Sequence, residues 1–224
     1  MRMEYLAAEK TLCQAERMAR ELRDFDTLGR LYMPLQEARR QRRQRCGEGI
    51  VCLDLIAQGA TDHVDGLRIV ENYPHGQLLV AGWGSIAPAL KVRELQKQHD
   101  LYVETFLAAA YPIGDARAVA IVPMDGVKLP DPTPRSIDEL LRLLPPHSIV
   151  MHESELPRGQ QKGTWQTYAH VMSMWEKLHA PFLAQADQTR EPMQKIEAYR
   201  QTIEVDYACE LAHQKLANVA RHLH

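Results

Sequence analysis

Apolar residues recur at helical spacing at both ends of the chain, within residues 1–46 and again within residues 164–224. In the first segment Leu12, Ala15 and Ala19 fall in steps of three and four, which places them on one side of a helix. Both segments contain almost no glycine. The pattern predicts a pair of helices at the N-terminus and several amphipathic helices at the C-terminus.

Between these segments, short apolar runs alternate with helical patterns. Strands that are buried on both faces read as continuous apolar runs, and strands that alternate with helices are typical of a parallel sheet with crossover connections. We therefore predict four parallel strands and three helices here. The predicted strands are residues 50–56, 77–81, 118–122 and 148–151, and the predicted helices are residues 61–73, 85–110 and 137–144.

The predicted architecture is an α/β fold with helical extensions. Its core is a small, Rossmann-like parallel sheet of about four strands in a three-layer arrangement. The predicted boundaries give an N-terminal helical pair at residues 1–46, an α/β core at residues 47–155 and a C-terminal helical bundle at residues 156–224, packed on the core.

The second predicted strand ends in two glycines and a serine, Gly82, Gly84 and Ser85, and a helical pattern follows. A tight turn between a strand and a helix directs backbone N–H groups and the positive end of the helix into one small space. This pattern predicts a site for a small anionic ligand that carries a phosphate or a carboxylate. The alternative is that the glycines only allow the strand and the helix to pack closely.

Polar residues also follow the other predicted strands. In an open parallel sheet, ligands bind beyond the carboxyl ends of the strands. We therefore group Asp54, Asp125, His152 and Glu153 with the glycine turn as candidate ligand-binding residues. The alternative is that strand ends are polar because they leave the core. No catalytic residue and no metal site are predicted.

The cofactor, if there is one, is not identified by the sequence. Gly82, Gly84 and Ala87 match the spacing of a dinucleotide-binding fingerprint. However, the acidic residue at the required distance, Asp100, lies inside the predicted helix rather than after a following strand. A dinucleotide site is therefore not predicted.

Residues 196–217 contain Ala198-Tyr199, Ile203-Glu204 and Asp206, followed by small and leucine positions on the next helical stretch. This pattern resembles part of a tetratricopeptide repeat, although Tyr207 stands where the family usually has a proline. The resemblance implies a helical hairpin, and it suggests that the C-terminal helices bind a protein partner. About three repeats are needed for an independent array, so these helices are expected to pack on other elements.

Composition and charge narrow the classes of partner. The formal net charge is −2, so the chain as a whole does not attract nucleic acid. Five arginines between residues 39 and 45 are interpreted as a solvated helix end rather than an RNA-binding segment. No apolar stretch approaches the length of about 20 residues that crosses a bilayer, and no membrane association is expected. Four cysteines without metal-binding spacing indicate reduced thiols and a cytoplasmic protein.

Two functional hypotheses follow. The chain binds a small anionic ligand at the Gly82–Ser85 turn, with or without catalysis. Alternatively, it is an interaction or scaffold protein that uses its tetratricopeptide-like C-terminal helices.

Overall fold

The computed structural model describes residues 4–223, which form two compact units. The helical unit comprises residues 4–44 and 175–223, and the sheet unit comprises residues 45–174. The helices are α1 (Tyr5–Glu21), α2 (Phe25–Glu48), α3 (Gly66–Asn72), α4 (Ala87–Gln98), α5 (Ile137–Leu143), α6 (Trp165–Gln188), α7 (Pro192–Val205) and α8 (Glu210–Arg221). Both unit boundaries fall inside continuous helices, α2 and α6.

The described strands form one mixed sheet in the order β5-β4-β3-β2-β1-β6. Its strands are β1 (Ile50–Ile56), β2 (His75–Trp83), β3 (Tyr102–Ile113), β4 (Ala116–Val122), β5 (Ile149–His152) and β6 (Gln161–Lys162). Strands β1, β2 and β3 are parallel, whereas β4 is antiparallel to both of its neighbours and β6 is antiparallel to β1. The α/β class is confirmed, but the predicted four-stranded parallel sheet is wrong in strand number and direction.

The main error lies in the predicted helix at residues 85–110. Helix α4 ends at Gln98, Asp100 has a left-handed backbone (φ 53°), and strand β3 begins at Tyr102. Val103 and Phe106 lie on opposite faces of this strand, and each is 1% exposed. A strand that is buried on both faces carries apolar residues at most of its positions. Some of these positions then also have the spacing of one face of a helix, so periodicity does not separate the two structures. Only two residues connect β3 to β4, so β4 runs antiparallel to β3.

Helices α3, α4 and α5 pack on one face of the sheet, and the apolar core of this unit lies between these helices and the strands. Ile69, Val92 and Leu140 belong to the same buried cluster as the strand residues Leu78 and Val80. Helix α5 begins where the sequence predicts, because the Ser136 hydroxyl accepts a hydrogen bond from the Glu139 N–H at 3.1 Å.

The helical unit has its own core between α1, α2, α6, α7 and α8. Leu28, Tyr32, Tyr199 and Leu216 are each at most 2% exposed and belong to one buried cluster. Helix α2 continues through Pro34.

All four cysteines lie within residues 4–223, and none of them forms a disulfide bond there. In that range no helix combines the length and the apolar character that a bilayer crossing requires.

Candidate functional site

The predicted anion-binding turn is closed by its own hydrogen bonds. The Gly84 N–H donates to the Ala110 carbonyl at 2.9 Å, and the Ser85 N–H donates to the Gly82 carbonyl at 3.4 Å. The Ser85 hydroxyl accepts from the Ala87 N–H at 3.2 Å. Because these amides already have acceptors, in the turn or on the neighbouring strand β3, the geometry does not favour an anion here. The anion site stays a prediction and is not carried into the proposed function.

Gly84 gives a direct test of how tightly this turn is packed. Gly84→Ala is expected to cost about 2–3 kcal/mol of unfolding free energy, because φ is 58° and the added Cβ would lie 3.2 Å from the Pro132 side chain. Gly114→Ala is the matched control, since φ is also 58° but no described atom lies within 4 Å of its added Cβ. Urea denaturation of both variants measures the difference. Equal losses would show that Pro132 does not restrict the turn.

The structure brings together only some of the predicted ligand-binding residues. Trp83 is in register with Ala110 on β3, which pairs with Val119 on β4, which in turn pairs with Met151 on β5. The end of β5, with His152 and the following Glu153, therefore lies on the same side of the sheet as the Gly82–Ser85 turn at the end of β2. Strands β3 and β4 separate β5 from β2. Strand β4 runs antiparallel to β3, so it leads toward Asp125 at the opposite end of the sheet. The prediction that Asp125 follows a parallel strand is wrong.

Two of the predicted ligand-binding carboxylates, Asp54 and Glu153, have partners inside the sheet unit. Asp54 accepts hydrogen bonds from the Gly159 N–H at 2.6 Å and from the Cys52 thiol at 3.3 Å. Glu153 pairs with Arg117 through two hydrogen bonds, one of them 3.0 Å long between Nη2 and Oε1. This pairing raises the pKa of Arg117. Both carboxylates thus hold loops and strands together.

A cluster of four side chains in the helical unit surrounds the buried carboxylate of Asp206, and we call it the Asp206 centre. It consists of Arg43 on α2, His179 on α6, Asp206 in the α7–α8 turn and Cys209 at the start of α8. Asp206 is 1% exposed. Its carboxylate lies 2.6 Å from Arg43 Nη2 and 2.7 Å from His179 Nδ1, and it accepts the Ala208 N–H at 3.1 Å.

These contacts shift the pKa values of the centre. Burial alone raises the pKa of Asp206, but the adjacent Arg43 and His179 outweigh it and hold the pKa far below its usual range. Burial also lowers the pKa of His179, but hydrogen bonds with Asp206 and with the Cys209 thiol raise it to about 10. At neutral pH the centre therefore contains an ionised carboxylate and a protonated imidazole.

A second buried group adjoins this centre on α1, α2 and α8. Glu9 accepts hydrogen bonds from Arg39 at 3.2 Å and from Arg42 at 3.0 Å. His213 contacts Arg39 through Nε2 at 3.0 Å and the Cys209 carbonyl through Nδ1 at 2.8 Å. Burial and the charge on Arg39 lower the pKa of His213 to about 4. The interpretation of residues 39–45 as a solvated helix end is therefore wrong for Arg39, Arg42 and Arg43, which neutralise buried carboxylates. The other two arginines, Arg40 and Arg45, are exposed.

The two histidines make stability depend on pH in opposite directions. The raised pKa of His179 contributes stability that is full below pH 6.5 and is lost as the pH rises toward about 10. The lowered pKa of His213 makes stability fall as the pH drops from 6.5 toward 4. Urea denaturation between pH 4 and 10 should show maximal stability near pH 6.5, with a slope of at most about 1.4 kcal/mol per pH unit from each group. Stability that rises steadily from pH 7 to pH 9 would contradict this assignment.

A cleft on the surface of the helical unit, which we call the arginine groove, has a volume of about 320 Å³. It lies where the end of α1 and the following turn meet the starts of α2 and α7. Leu28 and Ile196, which are 1% and 5% exposed, form its floor. Its other lining residues are Arg17, Arg20, Glu21, Arg23, Phe25, Met193 and Glu197.

The groove lining carries three arginines and two glutamates, Glu21 and Glu197, and Glu197 is bound to Arg200. Glu197 lies 2.7 and 2.8 Å from Arg200 Nη1, and Glu16 lies 3.3 Å from Arg200 Nε. Arg20 reaches the same two carboxylates only at 3.9 and 4.0 Å. The guanidinium of Arg20 is therefore weakly paired and is more than a third exposed.

The groove and the Asp206 centre were both missed from the sequence. Arg17, Arg20 and Arg23 follow one another in steps of three, and this spacing is a basic stripe that a reading of α1 alone would detect. The Asp206 centre has no such local signal, since Arg43 and Asp206, which are in contact, are 163 positions apart in the sequence.

Comparisons with known proteins add no family assignment. No family model matches the chain, and searches of curated proteins and of solved structures find no significant match. Within residues 4–223, no group of three or more histidine, cysteine, aspartate or glutamate side chains is arranged to hold a metal ion.

Proposed function

We propose that the protein is an interaction module whose helical unit binds an acidic, amphipathic segment of a partner protein in the arginine groove. The observation that carries this proposal is the combination of an apolar floor with a rim of three arginines. The proposal continues the interaction hypothesis from the sequence, and it moves the docking surface from the last two helices to the cleft between α1, α2 and α7.

The apolar residues around the groove favour a peptide over a small ion. Met193 and Phe25 line the groove, and Met193 is 44% exposed. Met18 and Leu22, which are 53% and 78% exposed, neighbour the groove arginines in sequence but are not part of the lining. Exposed methionines adapt to varied apolar partners, and methionine and arginine are enriched at protein interfaces. An inorganic anion would use the arginines but leave this apolar surface uncovered.

The arginines define the charge of the partner. A guanidinium presents a planar set of donors that matches a carboxylate, so aspartate and glutamate side chains are its natural partners. Amphipathic helices bind grooves through apolar anchors at positions i, i+3, i+4 and i+7. The expected ligand is therefore a helix with leucine-type anchors on one face and carboxylates beside them.

The test uses a fluorescent peptide with leucines at positions i, i+3, i+4 and i+7 and glutamates beside them. Its binding to the full chain is followed by fluorescence anisotropy. The double variant Arg17→Glu/Arg23→Glu is expected to weaken binding at least ten-fold, or about 1.4 kcal/mol, because it reverses two rim charges. Arg30→Glu is the control, since Arg30 is exposed on α2 and is not part of the groove lining.

Two results would count against the proposal. Equal weakening by Arg30→Glu would mean that the peptide responds to overall charge rather than to the groove. Equal affinity for a peptide of the same composition with scrambled leucine positions would mean that the apolar floor is not used.

A further inference from the structure

We propose that Asp125 and Gly126 form a modification site, at which the aspartate carboxyl and the glycine amide condense to a succinimide that reopens as an isoaspartyl linkage. This inference concerns the loop between β4 and α5 and does not depend on the arginine groove. The sequence contains two Asp-Gly pairs, at residues 65–66 and 125–126. The fold places them in different environments, and the inference rests on that difference.

The pair at residues 125–126 lies in an exposed loop. Both residues are exposed, and they follow the end of β4 at Val122. Within residues 4–223, neither the Asp125 carboxylate nor the Gly126 N–H takes part in a hydrogen bond. The carboxyl group is therefore not held away from the neighbouring amide nitrogen.

Gly126 leaves its own nitrogen accessible. Its φ is 71°, and a Cβ added at this position would meet no described atom within 4 Å. Glycine adopts this region of backbone conformation without strain, and it has no side chain that would shield the amide. A five-membered ring forms when the Gly126 nitrogen reaches Asp125 Cγ. The open surroundings leave room for the backbone and side-chain rotations that this ring closure needs.

The other pair, Asp65 and Gly66, is held by a helix. Asp65 is the N-cap of α3, and its Oδ1 accepts hydrogen bonds from the Leu67 N–H at 2.9 Å and from the Arg68 N–H at 3.5 Å. Gly66 is buried, and an added Cβ would lie 3.0 Å from the Lys91 side chain. The Asp65 carboxyl must leave the cap before it can react, and the loss of a cap destabilises the helix. The fold therefore protects this pair.

The chemical step balances with water as its only other participant. The Gly126 nitrogen attacks Cγ of the protonated Asp125 carboxyl and an N–C bond forms. The bond from Cγ to the hydroxyl oxygen breaks, and the hydroxyl leaves with the amide proton as water. Water then adds to one of the two ring carbonyls. Opening at the main-chain carbonyl of Asp125 leaves the chain linked through Cγ, with the main-chain carboxyl free and the mass of the chain unchanged.

The product differs from the parent chain only at the loop surface. The isoaspartyl linkage adds one methylene group to the backbone and presents a new carboxylate to solvent. Because residues 125 and 126 are exposed and make no hydrogen bond with the rest of residues 4–223, we expect the modified chain to stay folded. The free carboxylate can be esterified by an isoaspartate methyltransferase that uses S-adenosylmethionine, and this reaction supplies the probe.

The test incubates the full chain for several weeks at pH 7, at a raised temperature below its unfolding transition. Isoaspartate is measured by transfer of a labelled methyl group, and it is located by peptide mass spectrometry. We expect it to form at residues 125–126 at least about ten-fold faster than at residues 65–66, because only Asp65 must first leave a cap. Circular dichroism of the aged chain should be unchanged. Asp125→Glu should abolish the product at this site, because the six-membered ring that glutamate would form closes far more slowly.

Incubation in guanidinium chloride separates the effect of the fold from that of the sequence. In the unfolded chain the cap on Asp65 is lost, so the two pairs should react at similar rates. Equal rates in the folded chain, or no isoaspartate at residues 125–126 there, would overturn the proposal. A pair at residues 65–66 that stays slow in denaturant would also overturn it, because the neighbouring sequence rather than the fold would then set the difference.

Discussion

Replacing Asp206 by asparagine is expected to lower the free energy of unfolding by about 3–5 kcal/mol, the cost of breaking a buried ion pair by removing one partner. Asp206 is 1% exposed and neutralises two cations, Arg43 at 2.6 Å and His179 at 2.7 Å. Asparagine keeps the shape of the side chain but removes its charge. Arg43, which is 5% exposed, would then remain buried beside a neutral amide.

The matched control for this variant is Asp187→Asn. Asp187 also pairs with a cation, Lys215 at 2.6 Å, but its side chain is 42% exposed. It also accepts a hydrogen bond from the Tyr199 hydroxyl at 2.8 Å, and the amide oxygen of asparagine can still accept that bond. Exposed ion pairs contribute up to about 1 kcal/mol, so this variant should fall within that limit. Urea denaturation at pH 7, where both carboxylates are ionised, measures the two losses. Similar losses for the two variants would show that the Asp206 centre does not hold the helical unit together.

The second large effect is expected from Gly76→Ala, in the sheet unit. Gly76 lies near the start of β2, the central one of the three parallel strands, and pairs with Ile50 on β1 and with Val103 on β3. An added Cβ would sit 2.1 Å from the Ile50 carbonyl oxygen. That atom belongs to the backbone of the neighbouring strand, so the two strands must move apart. We expect a loss of about 3 kcal/mol or more, the upper range for overpacking.

Gly59→Ala separates this effect from the general effect of replacing glycine. Gly59 follows β1, and no described atom lies within 4 Å of the position that its Cβ would take. Its substitution should be close to neutral or slightly stabilising, because alanine restricts the unfolded chain. Thermal and urea denaturation of both variants are compared with the parent chain. A small loss for Gly76→Ala would mean that β1 and β2 are less closely paired than the structure shows.

Most helices and the first two strands could be predicted because each has a local signal. The Ser136 cap of α5 and the Pro192 start of α7 are examples. Strand β3 could not be separated from a helix by periodicity, since buried strands carry apolar residues throughout. A usable signal was nevertheless present, because Gly114-Asp115 between two apolar runs is typical of a two-residue hairpin turn, and Ile113 and Ala116 pair across it. That turn determines the direction of β4, and hence the position of Asp125.

The candidate sites were harder to predict, because they depend on contacts between distant segments. The arginines of α2 looked like a solvated group, and only the fold shows that Glu9 and Asp206 meet them. His179 carries no local pattern that marks it. Asp206 stands out in the sequence only as part of the segment that resembles a tetratricopeptide repeat, and this resemblance does not indicate a buried ion pair. The arginine groove likewise needs α7 to lie beside the end of α1. Local sequence determines the elements here, whereas the polar contacts follow from how those elements pack.

Docking of a partner segment in the arginine groove can be observed residue by residue with nuclear magnetic resonance. Amide shifts of the labelled full chain are followed while the acidic amphipathic peptide is added. We expect the shifts to be concentrated in residues 17–28 and 193–197, with little change in residues 82–85. Shifts confined to residues 82–85, or no shifts at millimolar peptide, would contradict docking in the groove.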